Sequence, residues 1–383
     1  KEEPIDEILS AIAAKNAGKG KKVIVTGCLA QRYADTLKKE FPEVDAILGI
    51  ADYDAILKTI KDVEDGEKVL NCANLDAFYS DRVLTTPYHY AYLKIADGCS
   101  NHCTYCAIPS IRGKYRSEKL EDLICEAKKL SDDGVKELIL VAQDVTRYGT
   151  DFDGKPHLIE LLDRLSKLDF AWIRLLYLYP EMVDDALIEY VKNNDKIAKY
   201  MDIPLQHVDD DVLKRMNRRT DEKSIRELIA KLKNAGIAVR TTFICGFPGE
   251  TQEQFEKLEK FVKEVKFDYA GFFAYSREEG TPADKLDGHL DESVKEERAD
   301  KLRAIQEKII KSRNKELIGS KIKVIYDDID YDRQKFVGRS QTQAPDIDNV
   351  TLFESDEEVR IGEFYDVEIT GSDGIDLVGK VIK

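Results

Sequence analysis

Between Tyr90 and Ala274 six short apolar runs alternate with amphipathic stretches, and this alternation constrains the fold more than any other feature. The runs are AYLKIA, KELILVA, WIRLLY, KYMDIPL, AVRTTFI and AGFFAY. The stretches between them carry helical stripes, such as Leu120, Leu123, Ile124, Ala127 and Leu130. Strands separated by helices pair in parallel through right-handed crossovers. Six repeats suit either an open doubly wound sheet or a partial barrel, with ligands at the strand C-termini in both. The pattern does not choose between the two.

The 383 residues exceed one ordinary core, so flanking domains are expected. Upstream, a helix is followed by a strand in KKVIVTG, a helix from Gln31 to Glu40, a strand in AILGI and a helix around Tyr53–Val63. Asp65–Thr86 reads as linker. The chain starts at Lys1, without a Met and directly in a helix, so the N-terminus reads as cut, with a preceding strand missing. Downstream, a long charged helix is expected from Asp291 to Glu316. The tail then alternates in period two at Ile322, Val324 and Tyr326, at Val350 and Leu352, and at Val367 and Ile369. Glycines punctuate it, which indicates a small β-barrel. The expected domains are 1–80, 81–312 and 313–383, an α/β chain throughout except for the terminal barrel.

No apolar run approaches the roughly eighteen residues of a membrane span, and no stretch of the sequence reads as a signal peptide. A net charge of −15 argues against a nucleic-acid-binding surface and suits a basic partner. From Lys315 to Lys383 nine basic residues face sixteen acidic ones, the opposite of most nucleic-acid-binding barrels. Seven cysteines, three of them within eight residues, read as a metal site in a reducing cytoplasm.

Those three form the run Cys99-Ser-Asn-His-Cys103-Thr-Tyr-Cys106, directly after the first strand of the repeat. Three thiolates on so short a loop can hold three corners of a 4Fe-4S cluster and leave the fourth iron open to a chelating molecule. A structural zinc would want a second C-x2-C pair, which the chain lacks, or His102, which sits awkwardly beside Cys103. A ferredoxin would want a fourth cysteine nearby. Cys125 and Cys245 read as core residues, Cys72 as an incidental thiol. His89, His157 and His289 read as ordinary surface or loop residues.

The C-x3-C-x-aromatic-C run resembles the signature of the radical S-adenosylmethionine (SAM) superfamily, whose fold is a partial (β/α)6 barrel. The resemblance implies that the open iron binds the amino and carboxylate groups of SAM and that Tyr105 packs near the adenine. It places Gln143 and Asp144, ending the second strand, at SAM's amino end. Gly246, in Ile244-Cys-Gly-Phe-Pro-Gly249, would let backbone approach the adenosine, and Tyr275 ends the sixth strand on the same face. The same glycine stretch also reads as a plain strand-to-helix turn, since Thr251-Gln-Glu-Gln254 is a capping box.

VTGCLAQRY, the central repeats and the terminal barrel together resemble the methylthiotransferases, whose barrel is the TRAM domain. There an N-terminal domain carries three cysteines for a second 4Fe-4S cluster. Only Cys28 matches that triad, as its third member, and the other two would lie upstream of Lys1. Of the two branches, one acts on tRNA adenosine and the other on an aspartate of ribosomal protein S twelve. Ala142-Gln143-Asp144-Val-Thr-Arg147-Tyr148-Gly149, Trp172-Ile-Arg174-Leu-Leu-Tyr177-Leu-Tyr179-Pro180, Asp202-Ile-Pro-Leu-Gln206-His207 and Tyr275-Ser-Arg-Glu278-Glu279-Gly280 are similar to the ribosomal-protein branch. The acidic barrel agrees, because RNA phosphates favour Lys and Arg while a basic protein loop favours acid.

The resemblance implies a methylthio group added to the aspartate β-carbon, with an electron donor such as flavodoxin or ferredoxin, a monomer, and no direct RNA readout. No side chain acts as general base in that scheme, so His207 and Asp144 are expected to bind or position. The tRNA reaction and a non-catalytic, zinc-stabilised binding module are the alternatives.

Overall fold

The computed structural model describes residues 2–72 and 83–382. They divide into two compact units: the described residues up to Val83 with Gly98–Ser100 and Ala107–Lys114, and the remainder. The expected boundary at 80/81 lies outside the described residues.

The first unit is a small parallel sheet of β1 (Ile24–Thr26), β2 (Ala46–Leu48) and β3 (Val69–Asn71), in that order, with helices Glu2–Asn16, Cys28–Glu40 and Ile56–Glu64. Ile8, Ile12, Val23, Ala30, Leu37, Val44 and Ile47 form its core. β3 corrects the reading of Asp65–Thr86 as pure linker: Val69 pairs with Ala46 in parallel register. Three residues are too few to show a period, so the strand left no signal.

In the second unit six strands form one parallel sheet: β4 (Tyr90–Lys94), then, after the short antiparallel pair β5 (Ala96–Asp97) and β6 (Arg116–Ser117), β7 (Glu137–Val141), β8 (Trp172–Leu175), β9 (Ile197–Asp202), β10 (Ala238–Cys245) and β11 (Tyr269–Ala274). Their spatial order is strictly sequential, from β4 to β11. A doubly wound sheet reverses its strand order at a switch point. No reversal occurs here, so the partial barrel is the correct alternative.

Helices cover the outer face over a core that includes Leu93, Leu123, Ala127, Leu138, Leu161, Val239 and Phe261. The expected stripe is buried at Leu123, Ala127 and Leu130. Cys125 corrects its own reading: two residues on from Leu123, it faces away from the stripe and is exposed. Cys245 is buried, as expected, and burial pushes its thiol up to about 12. The inner face is a separate layer of Tyr90, Ile139, Leu176, Ala198, Tyr200, Ala238 and Tyr269.

Helix Glu292–Glu316 runs through the expected 312/313 boundary into a closed barrel of β12 (Lys321–Asp330), β13 (Lys335–Ser340), β14 (Thr351–Glu354), β15 (Phe364–Asp373) and β16 (Asp376–Val381). Parallel pairing of β14 with β16 closes it. Its interior holds Val324, Tyr326, Phe353, Val367, Ile369 and Leu377. On β14 the interior residue is therefore Phe353, one position off the expected Val350–Leu352 register. Ala344, from the loop between β13 and β14, joins the inner layer of the six-stranded sheet. His89 is another correction. It is fully buried, and its Nε2 lies 2.7 Å from Asp327 Oδ1 of β12. No helix among the described residues is long and apolar enough to cross a membrane.

Candidate functional site

The chain leaves each parallel strand at the same end, and those exits carry most of the residues singled out above. The cysteine run lies in the chain between β5 and β6. Cys99 falls in the first compact unit, Cys103 and Cys106 in the second.

The second unit holds its part of the run tightly. Thr104 N donates to Met216 O at 3.1 Å, Thr104 Oγ1 to Arg215 O at 2.8 Å, and Asn217 Nδ2 to His102 O at 2.9 Å. A turn joins the two cysteines, with Cys106 N donating to Cys103 O at 3.0 Å. His102 and Asn217 both adopt positive φ, at 54° and 56°, a conformation few non-glycine residues take outside special turns. Cys103 is buried, with Tyr179 Oη 2.8 Å from its Sγ and Arg218 Nη1 at 4.0 Å. Arg218, itself buried, lies 3.9 Å over the Tyr179 ring. A hydroxyl donor and a guanidinium beside the sulfur suit an anionic thiolate, so the donor chemistry fits a thiolate-ligated cluster. Among the described residues no three His, Cys, Asp or Glu side chains gather into a single-ion metal site.

Tyr105 packs with Val212, Met216, Phe247, Tyr275 and Ala283. Burial holds its hydroxyl well above the ordinary tyrosine range, against the pull of Arg218. Tyr275 is buried, edge-on to Phe247 with ring centroids 5.3 Å apart. Its hydroxyl has no hydrogen-bond partner among the described residues. The structure therefore brings Tyr105 and Tyr275 into one cluster.

Gln143 and Asp144 separate in role. The Gln143 Oε1 is buried without a partner among the described residues and can accept from a ligand. The fully buried Asp144 carboxylate is already engaged: Asn101 Nδ2 donates to it at 2.9 Å, Thr146 Oγ1 donates to its other oxygen, and Arg147 Nε lies at 3.1 Å. The Asn101 hydrogen bond ties the carboxylate to a residue two positions before Cys103.

Gly246 has φ 72°, but its missing side chain makes room for protein. A Cβ there would stand 2.2 Å from Lys295 Cγ. Its N–H donates to Glu250 Oε2 at 2.9 Å, and Arg298 Nη1 donates to Glu250 Oε1 at 2.5 Å. The capping box at Thr251 and Gln254 is present. The strand-to-helix turn expected from the sequence is thus present.

In the first unit Cys28 is exposed and opens helix Cys28–Glu40, with Gly27 before it at φ 109°. Arg112 Nη2 lies 3.8 Å from its Sγ. Cys72 turns inward, its Sγ 3.7 Å from Ala30 O and 3.9 Å from Ile47 O, and burial pushes its thiol up to about 11.

Sequence reasoning missed Tyr179, Arg218 and Glu181. Both Glu181 carboxyl oxygens are buried and accept from no other described residue. Burial holds this carboxyl above the usual range despite Arg218 and Arg147. The Tyr179-Pro180-Glu181 turn follows β8 where ligand residues collect, which was the available signal. Arg218 reaches the site from a turn between helices, and no spacing pointed to it.

Residues 93–262 match the model of the radical SAM superfamily, residues 318–382 that of the TRAM domain, and residues 1–49 that of uncharacterized protein family UPF0004. The chain is 48% identical, over its whole length and 86% of the relative, to the ribosomal protein uS12 methylthiotransferase RimO of Clostridium botulinum (strain Eklund 17B / Type B). It is 45% identical to the protein of that name from Clostridioides difficile (strain 630), over 100% of this chain and 87% of that one. Among solved structures, the radical SAM methyltransferase TsrM of Kitasatospora setae, with cobalamin and a [4Fe-4S] cluster bound, shares the fold at TM-score 0.54 and 13% identity, over 68% of this chain and 58% of that one. The chain belongs to the ribosomal protein uS12 methylthiotransferase RimO family, within the radical SAM superfamily.

Proposed function

We propose that this protein adds a methylthio group to the β-carbon of an aspartate in ribosomal protein uS12, using SAM and a 4Fe-4S cluster held by Cys99, Cys103 and Cys106. The observation that carries this reading is that the family relationship runs the length of the chain, through the sheet that collects the site residues and the acidic barrel alike. When bound, the cluster and SAM supply a carbon radical that can take hydrogen from an unactivated C–H bond, which has no acid–base route to removal. The chain's own residues bind and orient. Gln143 offers an acceptor and Tyr275 a hydroxyl that have no partner among the described residues, and Tyr105 lies in the apolar cluster of Tyr275. Asp144 fixes Asn101, and Glu250 with Arg298 fixes the backbone at Gly246.

The same proposal takes Cys28 as one ligand of a second 4Fe-4S cluster, and reads the domains as 1–80, 81–312 and 313–383. It includes a flavodoxin- or ferredoxin-like electron donor, a monomer, a cytoplasmic location, and no direct RNA readout. The terminal barrel's excess of acid would steer a basic ribosomal-protein loop and repel RNA. Mass spectrometry of uS12 and of tRNA, from cells with and without the gene, tests the substrate. A methylthio mass shift on uS12 that disappears with the gene is expected. A gene-dependent shift on tRNA alone would overturn the substrate reading and leave the radical chemistry standing.

A further inference from the structure

Tyr179 and Arg218 form a stacked pair against one of the three cysteine sulfurs. Tyr179 Oη stands 2.8 Å from Cys103 Sγ, and the Arg218 guanidinium lies 3.9 Å over the Tyr179 ring with Nη1 4.0 Å from the same sulfur. Only 6% of Arg218 is exposed, and its Nη2 is fixed to Pro204 O at 2.7 Å. The pair is therefore rigid and dry. In such surroundings a hydrogen bond or a positive charge acts far more strongly than at the surface. Arg218 is kept in place by the segment that also clamps the cysteine run, since Met216 O and Asn217 bind Thr104 and His102.

We infer that Tyr179 and Arg218 are positioning residues that set the reduction potential of the cluster held at Cys103. The inference rests on the cluster assignment made above. A hydroxyl proton directed at a ligand sulfur, with a fixed cation behind it, stabilises the reduced and more negative state of the cluster. Their loss therefore makes the cluster harder to reduce. Cleavage of SAM needs a strongly reducing cluster, so the pair acts as a counterweight: it keeps the potential within reach of the electron donor.

The test is a potentiometric titration of the iron-reconstituted chain, followed by electron paramagnetic resonance, for the unsubstituted protein, Tyr179→Phe and Arg218→Met. Arg218→Lys serves as the conservative variant. With iron content unchanged, Tyr179→Phe is expected to shift the one-electron reduction equilibrium about tenfold toward the oxidised state, which is about 59 mV more negative. Arg218→Met should shift it the same way, and Arg218→Lys should recover part of the shift. An unchanged midpoint in both Tyr179→Phe and Arg218→Met, with full iron, overturns the inference. If Tyr179→Phe fails to hold iron, the two Arg218 variants decide: equal midpoints for Met and Lys overturn it. An unsubstituted protein that forms no iron–sulfur cluster would sink the cluster assignment itself, a distinct result.

Discussion

Arg339, on a strand of the C-terminal barrel, places Nη1 2.7 Å from Glu137 Oε2 at the start of a strand in the six-stranded sheet. Glu137 is fully buried, and its other oxygen accepts from Arg174 Nε at 2.7 Å. Arg339 also binds Asp327 through Nε at 2.7 Å and Nη2 at 3.0 Å, and Asp327 meets His89. Burial alone would raise the Glu137 carboxyl. Arg174 and Arg339 outweigh it and hold the group below its usual range.

Breaking such a network by removing one partner leaves buried charge uncompensated. Arg339→Met is expected to cost about 3–5 kcal/mol. In thermal unfolding followed by calorimetry, the C-terminal barrel should then melt ahead of the sheet. A single transition at the unsubstituted temperature would contradict this.

In the N-terminal unit, Asp45 accepts from Lys15 Nζ at 2.6 Å and from Val23 N at 2.8 Å. Burial raises this carboxyl, but Lys15 and the Val23 amide prevail and hold it below the usual range. A depressed carboxyl stabilises the fold above its unfolded value, and that stability is lost as pH falls through the folded value. Asp45→Asn should cost about 2 kcal/mol at neutral pH. The difference should shrink in urea titrations repeated at successively lower pH, as the folded Asp45 carboxylate is protonated. A difference that does not shrink would mean that shape, not charge, explains the contribution.

Much of this architecture was legible in the sequence, and the failures have physical causes. Six apolar runs became six parallel strands because central strands of a covered sheet are apolar throughout and show plainly. Val69–Asn71 was missed because three residues on a sheet edge carry no period. Cys125 was misplaced because a helix turns roughly 100° per residue, which carries it off the Leu123–Ala127–Leu130 stripe. His89 was misread because its burial depends on Asp327, which lies 238 residues away in the chain. At the site, Cys103 was visible as spacing, whereas Arg218 appears only when the fold brings a distant turn to it.

Gly246 offers a test of how its turn is held. Alanine there must adopt φ 72° and place its Cβ against Lys295 Cγ. Gly246→Ala is expected to cost about 2–4 kcal/mol from the strained backbone and overpacking together. In a Lys295→Ala background the cost should fall to the backbone part alone, about 1–2 kcal/mol. Equal costs in both backgrounds would show that Lys295 does not occupy that space.

Cys99, Cys103 and Cys106 are proposed to hold the cluster that cleaves SAM. The most direct measurement is 5'-deoxyadenosine released from SAM by the reduced, iron-reconstituted chain, compared between the unsubstituted protein and Cys103→Ala. The expected result is a brown protein that releases 5'-deoxyadenosine, and a Cys103→Ala variant that loses both colour and product. Product retained by the variant, or a colourless unsubstituted protein carrying a single zinc ion, would contradict it.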